Sequence, residues 1–122
     1  MTPETKIKIA AKALTDKKAI DLSCVEVGEL TALTEYFLFC TATSSTHVHA
    51  LADEAEHKLR EAGEPPRHIE GKATDWILLD YGDVILHIFG RQSREFYGLD
   101  KMWSDGTPVD LTPYINSEET EA

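Results

Sequence analysis

Apolar positions recur at helical spacing in two stretches of the chain and alternate in several others, and these two periods divide it into elements. Ile7, Ala10, Ala11 and Leu14 predict a short amphipathic helix over 3–16, with Thr2 as its cap and Pro3 at its first position. AIDLSCVEV (19–27) alternates as a strand until Gly28 breaks it, and residues 28–35 make an irregular connection. YFLFCTA (36–42) is apolar on both faces, as expected of a strand buried in the middle of a sheet. SSTH then opens a second helix, capped by Ser44 or Ser45. Its stripe is Val48, Leu51, Ala52, Ala55 and Leu59, and Gly63 ends it before Pro65-Pro66. RHIEG (67–71) reads as a short edge strand, and WILLD and VILHIF (76–80 and 84–89) as a hairpin. Ser93 is the expected cap of a last helix in which Phe96, Leu99 and Trp103 share a face and Gly98 lies inside. Gly106 stops it, TPVDLTPYI is extended and loosely packed, and SEETEA (117–122) is a solvated acidic tail.

Alternating strands and helices with no repeat and no long linker imply an α/β domain, a mixed sheet packed with helices. The expected boundaries are one domain over 1–112 and a disordered acidic tail over 113–122.

The hairpin sorts its side chains sharply. With Tyr81-Gly82 as the turn, Leu79 pairs with Val84, Leu78 with Ile85, Ile77 with Leu86, and Trp76 with His87. One face is then purely aliphatic: Ile77, Leu79, Val84, Leu86 and Ile88. The other carries Trp76, Leu78, Asp80, Asp83, Ile85, His87 and Phe89. Helices would cover the first. The second has the make-up of a binding surface, aromatic anchors with a polar margin, and equally of a core in which His87 is satisfied internally. A one-residue slip would exchange the faces.

Composition narrows the classes of function. At 122 residues, 42% hydrophobic and 28% charged, the chain is one globular domain, and no apolar run approaches the roughly 20 residues of a membrane helix. Its start lacks the pattern of a secretory signal, so the cytosol is the expected compartment. Cys24 and Cys40 lie in apolar strands and read as buried free thiols. The net charge of −10, from 22 acids against 12 bases, disfavours naked nucleic acid and suits a basic partner; it also serves solubility.

Catalytic patterns are weak. Asp80 and Asp83 could share a metal, but aspartates flank hairpin turns for turn reasons alone. His49, Asp53 and His57 align along one helix flank, opposite to the apolar stripe for His57 and without a second shell. Ser44-Ser45 stand at a strand-to-helix junction with no glycine to admit a phosphate. No Cys-His or Ser-His-Asp set has motif support.

EG(x)4WILLDYGDVILHIF (70–89) and REFYGLDKMW (94–103) together resemble the signature of the ribosomal silencing factor family, RsfS or Iojap. AL(x)3KAIDLSCVEV (13–27), EYFLFCTATSS (35–45) and HVHALADEAEHKLREAG (47–63) match the rest of its layout, so the resemblance covers roughly residues 5–111. It implies a single domain of nucleotidyltransferase-like fold without catalytic equipment, hence no enzyme and no cofactor. It implies binding to the large ribosomal subunit through the basic ribosomal protein fourteen, which keeps the small subunit from joining and lowers translation when nutrients are scarce. The partner-binding residues it implies are Glu70, Trp76, Asp80, His87, Tyr97, Asp100 and Trp103. Glu35 and Asp100 stand where the family usually has the other acid, and Met102 where it usually has leucine. No membrane and no sequence-specific nucleic acid enters this picture, and a homodimer of the free protein is compatible with it. The alternative is a nucleotidyltransferase-like enzyme or a nucleotide-binding relic. Active members of that fold carry a Gly-Ser pair and spaced aspartates, whereas the junction here reads TATSST.

Overall fold

The computed structural model describes residues 1–71 and 75–115. In chain order the elements are α1 (Pro3–Asp16), β1 (Ile20–Glu26), β2 (Tyr36–Thr41), α2 (Ser45–Glu61), β3 (His68–Glu70), β4 (Trp76–Asp80) and β5 (Val84–Phe89). Then follow α3 (Arg91–Tyr97), α4 (Leu99–Met102), β6 (Thr107–Pro108) and α5 (Thr112–Ile115). The strands form one mixed sheet in the order β3-β4-β5-β2-β1-β6. Among the described strands only β2 and β5 run parallel; the other pairs are antiparallel. This parallel pair is the centre of the sheet, and its two-sided apolar character follows from burial on both faces.

The two long helices start as their sequences predict. Thr2 accepts the backbone N–H of Thr5 through its side chain, and Ser44 that of His47. Val48, Leu51, Ala52, Ala55 and Leu59 of α2, with Ile7, Ala10, Ala11 and Leu14 of α1, cover Ile77, Leu79, Val84, Leu86 and Ile88. The buried alanines on both helices let them lie close to the sheet and to one another. Cys24 and Cys40 are buried free thiols, pushed up to about 12 by burial.

The hairpin register departs from expectation by one step of the turn. Trp76 pairs with Phe89, Leu78 with His87, and Asp80 with Ile85. The turn centres on Gly82-Asp83, where Tyr81 N–H donates to Val84 O and Gly82 takes φ +87°. Tyr81 is buried under α2, which removes it from the turn. Moving the turn by one residue shifts each cross-strand partner by two. Side-chain direction alternates with period two, so the apolar residues keep their division into faces.

Three C-terminal expectations need correction. Gly90, not Ser93, caps α3; the Ser93 hydroxyl donates to the carbonyls of Asp75 and Gly90. Gly98 is not inside a helix: at φ +61° it ends α3 and starts α4. Residues 107–115 are not loose, because β6 pairs with β1, Leu111 is buried in the core, and Tyr114 and Ile115 of α5 pack on it beside α1. The fold therefore continues past residue 112, through residues 113–115. The acidic stretch from 116 onward lies outside the described residues.

Candidate functional site: an aromatic face closed by a broken helix

Phe37 and Phe39 from β2, Ile85 and Phe89 from β5 and Val27 after β1 form a second, aromatic cluster on the side of the sheet away from α1 and α2. Trp76, Leu78, Leu99 and Trp103 pack on it, partly buried. The last two arrive from the α3–α4 segment, whose break at Gly98 turns Leu99 and Trp103 inward and leaves Phe96 outside.

His87 is at the centre of this cluster and only 4% exposed. Its ring centroid lies 5.0 Å from Phe37, 5.3 Å from Phe39 and 5.9 Å from Phe89. The indole N–H of Trp76 donates to its Nδ1 at 3.2 Å. Nδ1 is thus an acceptor, and the neutral ring carries its proton on Nε2, which has no partner among the described residues. Burial pushes the imidazole down to about 4 against the weaker pull of the Asp100 carboxylate. Protonation would also place a hydrogen on Nδ1, opposite the indole donor.

Trp76 itself is half-buried, its ring 5.2 Å from Phe89 and 4.5 Å from Tyr97. The expectation of Trp76 opposite His87 on a face left open is therefore corrected. The two touch diagonally rather than across the ladder, and α3–α4 with Trp103 closes the face over the histidine. Trp103 packs against Phe37 at 5.0 Å.

What remains outside on α3 and α4 is three large apolar groups. Phe96 is 80% exposed, Met102 65% and Tyr97 46%. Phe96 meets Tyr97 edge-on at 5.1 Å, and Tyr97 leads to a depression of about 230 Å³ lined by Glu70, Gly71, Trp76 and Leu78. Three of the seven expected residues, Glu70, Trp76 and Tyr97, thus converge. Glu70 is exposed, its carboxylate 2.7 Å from His68 Nε2.

Asp80, His87, Asp100 and Trp103 each also have a partner within the fold. Asp80 accepts the N–H of Gly82 at 2.8 Å and shapes the turn. Asp83 takes a 2.7 Å bond from the buried Lys6, which also donates to Tyr81 O, so the two aspartates point to separate structural tasks. Asp100 is paired with Arg94, which holds its carboxyl below the usual carboxylate range. Among the described residues no group of three or more His, Cys, Asp or Glu converges on a metal position. None of their helices is long and apolar enough to cross a membrane.

Helical spacing groups Phe96 with Leu99 and Trp103 and gives Arg94 no role, whereas the break at Gly98 leaves Phe96 80% exposed. One signal was available: REFYGLDKMW holds more bulky apolar groups than so short a helix can bury on one face.

Comparison with known proteins agrees with this architecture. The family model for the ribosomal silencing factor during starvation matches residues 1–122. The chain is 35% identical over 112 residues to the ribosomal silencing factor RsfS of Bacillus subtilis (strain 168), covering 91% of this chain and 95% of that one. It is 30% identical over 102 residues to a mouse protein named mitochondrial assembly of ribosomal large subunit protein 1, covering 80% of this chain and 45% of that one. A crystal structure from Chromobacterium violaceum superposes with a TM-score of 0.83 at 32% identity, covering 89% of this chain and 92% of that one. On this evidence the chain belongs to the ribosomal silencing factor family, with a ribosome-associated silencing role.

Proposed function

We propose that this protein represses translation in the cytoplasm by binding the large ribosomal subunit through ribosomal protein fourteen and obstructing the small subunit. The observation that carries this reading is the exposure of Phe96, Tyr97 and Met102 on α3 and α4, with Tyr97 lining one depression together with Trp76 and Glu70. A monomer gains nothing by exposing such a group, whereas aromatic anchors with a charged margin are the usual make-up of a docking surface. Tyrosine and tryptophan bury much area while freezing few rotamers, so they bind at low entropic cost.

The charge supports the choice of target. At −10 the protein is repelled by ribosomal RNA, and a basic ribosomal protein is where attraction survives. Glu70, which lines the depression with Tyr97 and Trp76, and Glu95 on α3 are exposed acids at this face. No chemical step enters this mechanism: the protein acts by occupying space, and needs neither cofactor nor metal. Glu70, Trp76 and Tyr97 are the proposed contacts, joined by Phe96 and Met102. His87, Asp100 and Trp103 act behind them and Asp80 in the hairpin turn. The same apolar groups are what a homodimer of the free protein would cover.

The test is sedimentation of the purified protein with separated subunits. It should travel with the large subunit only, and with isolated ribosomal protein fourteen in a pull-down. Failure to co-sediment at micromolar concentration and low salt would remove the reading.

A further inference from the structure

The helices that present the exposed aromatics contain no buried residue of their own. α3 has seven residues and α4 four, too few to be stable without tertiary support. Their apolar attachment is Leu99 and Trp103, each only partly buried, and the half-exposed Tyr97 against Trp76.

The Ser93 hydroxyl ties the start of α3 to Asp75 O, and Arg94 supplies the widest polar attachment. Its guanidinium uses all five of its N–H donors. Nε and Nη2 grip the two oxygens of Asp100 at 3.0 and 2.8 Å. Nη1 donates to the carbonyl of Asp21 and, at 2.9 Å, to the hydroxyl of Thr41, while Nη2 also reaches Ser23 Oγ at 3.1 Å. The group lies 6.0 Å from the Phe39 ring centroid. These partners sit on three separate elements. Asp21 and Ser23 belong to the irregular part of β1, where Asp21 takes φ +53°, Thr41 ends β2, and Asp100 lies on α4 beyond the Gly98 break.

We infer that Arg94 is a positioning residue, a latch that holds α3 and α4 against the sheet and so sets Phe96, Tyr97 and Met102 in their docking arrangement. The inference rests on the reading of this face as the docking surface. The planar fork is what the arrangement requires: a lysine has three donors on one point and cannot bridge a carboxylate and two strands at once. A segment held by these few polar bonds and three partly exposed side chains opens more readily than the central strands do.

Hydrogen exchange of the free protein, followed by mass spectrometry, tests the latch without a ribosome. In Arg94→Gln, amides of 91–103 should exchange about tenfold faster or more, the scale set by charge-assisted hydrogen bonds, while β2 and β5 keep their protection. Arg94→Lys should not restore the slow exchange. Affinity for the large subunit should fall by a comparable factor in both variants. Phe96→Ala should weaken binding with no change in exchange. Unchanged exchange over 91–103 in Arg94→Gln, or a uniform rise through β2 and β5, would overturn the latch. Absence of binding by the unaltered protein would instead count against the docking reading, with the exchange result still deciding the latch.

Discussion

The indole N–H of Trp76 donates to Nδ1 of His87 at 3.2 Å, linking a half-exposed residue of β4 to a buried residue of β5. This bond makes Trp76 both part of the core and part of the surface. Trp76→Ala would remove its stacking on Phe89 and its contact with Tyr97, and leave His87 with neither ring nitrogen paired among the described residues. Because the side chain is only half-buried, the loss should be about 2–3 kcal/mol, below that of a fully buried tryptophan. Trp76→Phe keeps the stacking and loses the donor, at about 1 kcal/mol. Urea unfolding of the two variants measures both values, and equal losses would show that the hydrogen bond contributes most of the effect.

His87 predicts a pH dependence with a definite sign. Its folded value of about 4 lies below the ordinary 6.5, so between these limits the unfolded chain binds a proton that the folded chain refuses. Stability therefore rises with pH through this window and is lost as pH falls through it, on the order of 3 kcal/mol in total. Asp100, held below its ordinary 3.8, loses its contribution only below that pH, so the two windows are separate. Replacing His87 by phenylalanine should flatten the slope of unfolding free energy between pH 4 and 6.5, whatever it does to the absolute stability. An unchanged slope would mean that another group controls it.

Much of this was legible before any coordinates. The stripes on α1 and α2 and the capping residues Thr2 and Ser44 follow from local periodicity. The apolar residues of the hairpin were also correctly sorted, because alternation is insensitive to an even shift in pairing, whereas Asp83, expected on the mixed face, reaches Lys6 of α1. The turn position was not legible: Tyr81 suits a turn chemically, and only its burial under α2 excludes it. Nor was the role of Arg94, whose partners Asp21, Ser23 and Thr41 lie more than fifty residues away in the chain. Among the site residues, a motif position does not distinguish an exposed Tyr97 from an enclosed His87; that depends on where α3–α4 folds back.

Gly98 offers a reversal of sign. Inside a helix, exchanging glycine for alanine would stabilise by about 1 kcal/mol. At φ +61° the left-handed conformation should instead make Gly98→Ala cost about 1–2 kcal/mol, and nothing closer than Glu95 O at 3.9 Å meets the added methyl. Thermal unfolding of this one variant separates the two cases.

Lys6 ties α1 to the hairpin turn through Asp83 at 2.7 Å and Tyr81 O at 3.1 Å. Lys6→Met fills the same volume but strands a partly buried carboxylate and a buried carbonyl. The expected loss is about 2 kcal/mol, recovered in part by the second substitution Asp83→Asn. Full additivity of the two changes would contradict the pairing.

The central claim, silencing by obstruction of subunit joining, is tested most directly by following whole-ribosome formation from purified subunits by light scattering. With the protein at saturation, the amplitude should fall sharply. With Phe96→Ala and Tyr97→Ala combined, it should recover at the same protein concentration. Whole ribosomes forming to the same extent with and without the saturating protein would contradict the account.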